Sequence, residues 1–286
     1  MADQQDFLGV FDAMSSKATA TVIASYSTSF TLASRLLSPK IRRDIEALYG
    51  MVRVADEVVD GAAAAAGCTT VQVAEILDNY EQQVLCSLDT PFHTDPIIHA
   101  FGNTARKCMF NRAHIVAFFE SMRRDLYQTS YDPTQLDEYI YGSAEVIGLM
   151  CLSIFLQDSV ATPQERATME QGAKRLGAAF QKVNFLRDLA EDNEDLGRDY
   201  LPAFTHESKA NLIADIRSDL TAARASIQLL PLGARAGVRT ATDLYDCLVN
   251  GLESASMEEL KAGRISVSPA KKAGLAAKAM VKEVFF

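Results

Sequence analysis

Two short stretches carry carboxylates, amides and guanidinium groups at spacings that could do chemistry. In Gln181-Lys-Val-Asn184-Phe-Leu-Arg187-Asp188-Leu-Ala-Glu-Asp192, the residues Gln181, Asn184, Asp188 and Asp192 follow at steps of three, four and four. On a helix those steps share one face, over roughly 16 Å at about 1.5 Å per residue. Arg187 stands one position off the line. Phe180, Val183, Phe185, Leu186 and Leu189 surround the stripe, so this helix is expected to be buried over much of its circumference. Buried carboxylates must be paired or bound to a cation.

A second stripe precedes it in Tyr49-Gly-Met-Val-Arg53-Val-Ala-Asp56-Glu-Val-Val-Asp60, where Tyr49, Arg53, Asp56 and Asp60 step by four, three and four. One D-x-x-x-D is usually a solvated helix face. Two copies, each with a nearby arginine and apolar residues in the other positions, argue for more. Facing aspartate pairs make a hard, all-oxygen pocket suited to magnesium, which completes its shell with water and phosphate oxygens. The arginines suit the phosphates themselves.

The elements that must position these stripes are helices. Of 286 residues, 48% are hydrophobic and only 15 are Gly and 8 Pro, which provides a large core with few helix breakers. Helices are expected at about 10–26, from Pro39 to Asp60, from Thr69 or Thr70 to about 88, and at 96–109, 111–127 and 135–157. Thr162-Pro163 opens the long helix of the second stripe, and 206–228, 232–256 and 269–283 follow. Tyr26-Ser-Thr-Ser-Phe30 reads as a turn or cap, with Ser38 as the cap before Pro39. Gly61 to Gly67 reads as a connection without chemistry. Glu194 to Pro202 reads, on charge pattern alone, as a solvated loop. Small residues at 142, 144 and 148 suggest close helix packing or a wall beside a long apolar ligand. The expectation is an all-α chain, one domain over 1–286.

Several classes are excluded. A net charge of −9 argues against nucleic acid as a partner. The five cysteines are scattered without C-x-x-C, which fits a reducing cytoplasm. The N-terminus lacks the basic and apolar regions of a signal peptide, and no apolar run reaches the 18 or so residues of a span, the nearest being 146–156. The lysine-rich last helix could touch an anionic membrane surface, though an ordinary amphipathic core helix fits it better. No H-E-x-x-H, Gly-rich phosphate loop or calcium-loop spacing occurs, so zinc hydrolysis, ATP-driven chemistry and a nicotinamide fold lack support.

The sequence resembles the squalene and phytoene synthase family. Tyr26 to Phe30, Leu48 to Asp60, Tyr141 to Met150 and Gln181 to Pro202 occur in that family's order, over about residues 20–268. The wording around Arg53-Val-Ala-Asp-Glu-Val-Val-Asp-Gly and Asn184-Phe-Leu-Arg-Asp-Leu is most similar to bacterial phytoene synthases. The resemblance implies an all-α isoprenoid-synthase bundle around a central apolar cavity, with the two aspartate motifs facing each other. It implies head-to-head condensation of two geranylgeranyl diphosphates to phytoene through a cyclopropylcarbinyl diphosphate.

The same resemblance implies roles. Asp56, Asp60, Asp188 and Asp192, with Asn184, would hold magnesium (manganese as an alternative), and Gln181 would support the metal shell. Arg53, Arg187 and Arg264 would hold the phosphates. Ser27, Ser29, Tyr49, Tyr139 and Tyr245 would line the diphosphate region or assist proton transfer. The phytoene type needs no NADPH. Expected partners are the prenyl diphosphates and a downstream carotenoid desaturase, with a cytoplasmic location and at most weak contact with the inner membrane surface. Glu57 departs from a second Asp found in some members, and Glu145 from a common Gly, where it could alter the cavity. The alternatives are two farnesyl diphosphates as substrates, giving squalene, dehydrosqualene or a presqualene intermediate, and a catalytically silent assembly subunit.

Overall fold

The computed structural model describes residues 6–194, 197–202, 204–263 and 265–285. In chain order the helices are α1 (Phe7–Tyr26), α2 (Thr28–Ser34), α3 (Pro39–Val59), α4 (Ala62–Ala65), α5 (Thr70–Cys86), α6 (Pro96–Lys107), α7 (Arg112–Arg124) and α8 (Pro133–Ile140). A π-helical turn, Tyr141–Glu145, joins α8 to α9 (Val146–Leu156). Then come α10 (Pro163–Arg187), α11 (Leu189–Glu194), α12 (His206–Ile227), α13 (Leu232–Ser254), α14 (Met257–Ala262) and α15 (Pro269–Phe285). Among the described residues, the only β-type pairing is an isolated bridge between Ser130 and Asp199. The fold is all-α, as expected.

Local chemistry explains the boundaries. Pro stands in the first turn of α3, α6, α8 and α10, where its missing N–H leaves no bond unmade. Capping boxes start α5 at Thr69, α8 at Asp132, α10 at Thr162 and α12 at Thr205. Ser27 both ends α1 and caps α2, its Oγ accepting the Phe30 N–H at 3.1 Å. Ser38 occupies the cap position of α3 but its side chain makes no cap bond; its N–H donates instead to the Gly233 carbonyl at 2.9 Å. The alanine run after Gly61 coils into the single turn of α4 rather than staying irregular.

Two expectations need correction. The second stripe does not lie on one helix: α10 ends at Arg187, Asp188 leaves helical geometry (φ −102°, ψ 13°), and α11 carries Asp192. The Asp188 N–H still bonds the Asn184 carbonyl and the Asp192 N–H the Asp188 carbonyl, at 2.8 and 2.9 Å, so the ladder is bent rather than cut. The second correction concerns apolar length. Because the π turn keeps α8 and α9 continuous, Pro133–Leu156 forms 24 helical residues whose most apolar 18-residue window has a mean hydropathy of 1.6, long and apolar enough by length and composition to span a bilayer. Of its most apolar window 61% is buried inside the protein, the behaviour of a core helix.

α10 is the axis of the bundle, packed by α12, α13, α9 and the π turn. The approach of α9 and the π turn to α10 is close enough to demand glycine. A Cβ on Gly148 would lie 2.4 Å from the Ala173 carbonyl oxygen, and one on Gly177 would lie 2.4 Å from that of Ala144. On the opposite side, fully buried Asp219 of α12 accepts bonds from Arg175 and Lys182 of α10, both at 2.8 Å. Replacing Gly148 by Ala forces those backbones apart and should destabilise the protein by about 1–3 kcal/mol. A urea-unfolding midpoint equal to that of the parent protein would show that the α9–α10 contact is not tight.

Candidate active site

One large cavity of about 740 Å³ runs between α1–α3, the α8–α9 run, α10, α12 and α13. That is the size of a pocket for an elongated small molecule. Its walls change character along their length. On the α8–α9 run, Tyr139 and Ser143 give way to Ile147, Gly148, Cys151, Leu152 and Phe155 at helical spacing. The residues at 144 and 148 thus do both things the spacing suggested: they pack on α10 and face the cavity.

Ser27, Ser29, Tyr49, Arg53, Asp56, Asp60, Tyr139, Gln181, Asn184, Arg187, Asp188, Asp192 and Tyr245 all line this cavity and make up its polar part. Among the sequence-derived candidates only Arg264 is missing, and it lies outside the described residues. The two stripes come from helices far apart in sequence, yet their charges meet. Burial pushes Asp192 up to about 7, helped by Asp188 and Asp60 and opposed by Arg198. Burial likewise pushes Asp56 up to about 8, with Asp60 and Asp125 adding and Arg53 opposing. These acids are crowded, under-neutralised and short of water. That is the condition a divalent cation relieves.

The arginines are arranged differently from one another. Arg53 pairs with Glu57 and lies over the Tyr26 ring, 4.4 Å from its centroid, while its buried Nε has no hydrogen-bond partner among the described residues. Glu57 is therefore committed to Arg53 and does not line the cavity. Arg187 donates from Nε to its neighbour Asp188 at 2.8 Å. Tyr245 stacks on Phe180 at 3.8 Å between centroids and reaches the Asn184 Oδ1 at 3.4 Å. Burial pushes the Tyr49 hydroxyl up to about 12, so it stays protonated.

Four further residues line this cavity and were not singled out from the sequence. The loop containing Arg198 and Tyr200 is not a solvated segment, because both side chains are buried. Arg198 donates to Asp60 Oδ1 and to the Val59 carbonyl at 2.8 Å, and to the Asp125 carbonyl at 3.1 Å. Asp125, buried at the end of α7, accepts from Tyr139 and Tyr200 hydroxyls at 2.8 Å and from Tyr131 at 3.4 Å. Burial holds its carboxyl at about 6, against the pull of Arg198 and the tyrosine hydroxyls. Asp125 follows Arg123-Arg124 and looks like a surface charge in sequence. The Gly197-Arg-Asp-Tyr-Leu-Pro run was the available signal for the other two. Lys272 of α15 also faces the cavity and donates to Thr28 Oγ1 at 2.7 Å, between Ser27 and Ser29. Glu145, by contrast, does not line the cavity; its neighbours are Lys174, Arg175, Asp219 and Lys182 on the far side of α10.

These shifts set a pH dependence for the metal-free protein. Asp56 and Asp192 hold protons in the folded state above the pH at which they release them when unfolded. Folding stability is then greatest below pH ~4 with respect to these groups and falls as pH rises through 7 to 8. Unfolding midpoints in EDTA should decline from pH 5.5 to 8.5, and the decline should shrink in Asp56→Asn. A profile that is flat, or that rises, would contradict the crowding.

The chain matches the family described as squalene/phytoene synthase over residues 23–209. It is 34% identical over 193 residues to a 15-cis-phytoene synthase of Synechocystis, covering 63% of this chain and 53% of that protein. It is 33% identical to phytoene synthase 2 of Solanum lycopersicum (63% and 56% covered) and 28% identical to a 4,4'-diapophytoene synthase of Staphylococcus haemolyticus (69% and 66%). The matched region thus spans about half the length of the first two of these relatives. In fold, it is similar to a dehydrosqualene synthase, with a TM-score of 0.70 at 22% identity over 96% of this chain and 98% of that one. A squalene synthase from Alicyclobacillus acidocaldarius gives 0.71 at 17% identity over 90% and 97%. With a polar, acid-lined end and an apolar shaft in one helical bundle, and a match over most of its length, the chain belongs to the squalene/phytoene synthase family.

Proposed function

We propose that this chain is a prenyltransferase that joins two geranylgeranyl diphosphates head to head, giving phytoene. The observation that carries the reading is the single cavity whose polar end brings together both aspartate stripes while its remaining length is apolar. Relatives named as phytoene synthases, at 33 and 34% identity, support the longer substrate.

The donor set suits magnesium. Every candidate ligand is an oxygen, from Asp56, Asp60, Asp188, Asp192 and Asn184, and the raised carboxyls of Asp56 and Asp192 register the uncompensated charge. Among the described residues, no three His, Cys, Asp or Glu side chains converge on one point. An ion here would be held by a few carboxylates and completed by water and phosphate oxygens. Manganese would serve in the same place. Bound there, the cation would neutralise the departing diphosphate, which is a poor leaving group until its charge is balanced.

The chain's own residues then have distinct work. Arg53, with its unpartnered Nε, and Arg187 hold diphosphate oxygens, assisted by the hydroxyls of Ser27 and Ser29 and the amide of Gln181. The apolar walls fold the two prenyl tails together and keep water from the allylic cation, which would otherwise be trapped as an alcohol. The faces of Phe180, Tyr245 and Phe30 lie where developing positive charge can be met by ring quadrupoles. Attack by the second molecule's double bond on the allylic cation, followed by loss of a proton as the three-membered ring closes, would give the cyclopropylcarbinyl diphosphate; its ionisation, rearrangement and a second proton loss would end the reaction without NADPH. Tyr139, its hydroxyl held by Asp125 at 2.8 Å, lines the cavity just before the small-residue wall. The waxy product is the kind of substrate a desaturase consumes.

The test is extraction of hydrocarbon after incubation with magnesium and either geranylgeranyl or farnesyl diphosphate, with and without NADPH. A C40 product indifferent to NADPH is expected. A C30 product would keep the chemistry and change the substrate; no product, with or without EDTA, would leave the silent-subunit reading. Asp188→Asn should abolish turnover with the helical circular dichroism unchanged, and normal product formation by that variant would refute the metal assignment.

A further inference from the structure

The cavity has a length that can be read along α10. Before Gln181, where its polar part ends, α10 lines it at Phe180, Leu176, Ala173 and Met169, on successive turns. Met169 lies twelve residues from Gln181, a distance of about 18 Å at about 1.5 Å per residue. Met169 is buried, and no described residue of α10 nearer the helix start lines the cavity. The shaft ends there.

The neighbouring helices can be placed on the same scale. The α9 run passes α10 in the opposite direction, with Ala144 at Gly177 and Gly148 at Ala173. Carried one turn on, that register puts Cys151 level with the stretch between Met169 and Ala173, and Phe155 just past Met169. From α12, Ser226 seats against Gly172, and buried Leu230 follows one turn later. Met169, Phe155 and Leu230, all of which line the cavity, therefore make its floor. Cys151 lines the wall just above that floor and carries the smallest side chain on the α9 wall after Gly148. Burial pushes its thiol up to about 12, so it stays a neutral, compact apolar group.

Prenyl chains can be laid on this scale. An extended carbon chain gains about 1.3 Å per bond, so the eleven bonds of a farnesyl chain reach about 14 Å and the fifteen of a geranylgeranyl chain about 19 Å. With the diphosphate-bearing carbon level with Gln181, the shorter chain ends near Gly172 and the longer one at Met169. Only the fourth prenyl unit enters the interval beside Cys151.

We propose that Cys151 sets the chain-length preference of the site. Its short side chain leaves room for the fourth prenyl unit, while Phe155, with Met169 and Leu230, stops anything longer. The assignment rests on the reading of the cavity as a prenyl diphosphate site, and it adds the residue that selects among such substrates.

The test is calorimetric binding, with magnesium, of farnesyl, geranylgeranyl and geranylfarnesyl thiolodiphosphates, in which a bridging sulfur makes ionisation slow. The parent protein should prefer the twenty-carbon analogue to both others. Cys151→Phe fills the interval, and should lower affinity for the twenty-carbon analogue relative to the fifteen-carbon one by about tenfold or more, the scale of losing a buried prenyl unit. Phe155→Ala opens the floor and should raise affinity for the twenty-five-carbon analogue relative to the twenty-carbon one. Circular dichroism checks each fold; if Cys151→Phe does not fold, the smaller change Cys151→Leu and Phe155→Ala carry the same test. Equal loss of all three analogues in the folded residue-151 variant would mean a structural role and overturn the proposal. A parent protein that prefers the farnesyl analogue would overturn it too. If the analogues bind but their order ignores residues 151 and 155, only the length assignment falls. If none binds the parent protein, the prenyl diphosphate reading falls with it.

Discussion

The constraint that shapes this protein is the crowding of carboxylates at one buried end of a helical bundle. Asp56, Asp60, Asp125, Asp188 and Asp192 lie within reach of one another's charge, and the burial of Asp56, Asp125 and Asp192 weakens the screening of it. Arg198 is the main internal counterweight. Its guanidinium touches the last turn of α3, the end of α7 and Asp60 at once, and it draws down both Asp125 and Asp192. A loop residue therefore holds two helix ends in register. Without it the acid-lined end would have two helix termini and several like charges with little to bind them.

The rest of the bundle serves to keep that crowding in place. Gly148 and Gly177 let the α9 run and α10 approach backbone to backbone, which fixes the wall carrying Tyr139 against the helix carrying Gln181 and Asn184. The three tyrosine hydroxyls on Asp125 convert a costly buried carboxyl into the centre of a satisfied network. Asp219, with Arg175 and Lys182, secures the outer face of α10 in the same manner. Rigidity at the polar end is what lets the apolar length of the cavity be lined by small and aliphatic side chains without collapsing.

The cavity thus has a chemical polarity from end to end. Guanidinium, hydroxyl and acid groups gather at one end, and aromatic and aliphatic side chains line the rest. An amphiphile with a charged head and a long tail fits that gradient in one orientation only. The same gradient accounts for the long apolar helical run of α8–α9, which has the composition of a membrane span because it packs in the bundle and forms an apolar wall of the cavity.

Much of this was legible in the amino-acid order, since helix periodicity, caps and acid spacing are local properties. Proline at first turns, capping boxes and the two stripes located the helices and the candidate acids without reference to anything distant. Tertiary structure decided what depends on non-neighbours. Asp125, next to two arginines in sequence, is drawn inward by tyrosines from α8 and two loops. Arg198, in a run of charges that reads as surface, is buried because Asp60 and two carbonyls receive all sides of its guanidinium. The bend at Asp188 interrupts a pattern that, read alone, continues as one helix. Glu145, at a position where the sequence suggested an altered cavity, is turned away by lysine and arginine neighbours on α10. Local spacing can tell which residues share a helix face, but which face meets another helix, and which charge finds a partner there, is settled only when the helices pack.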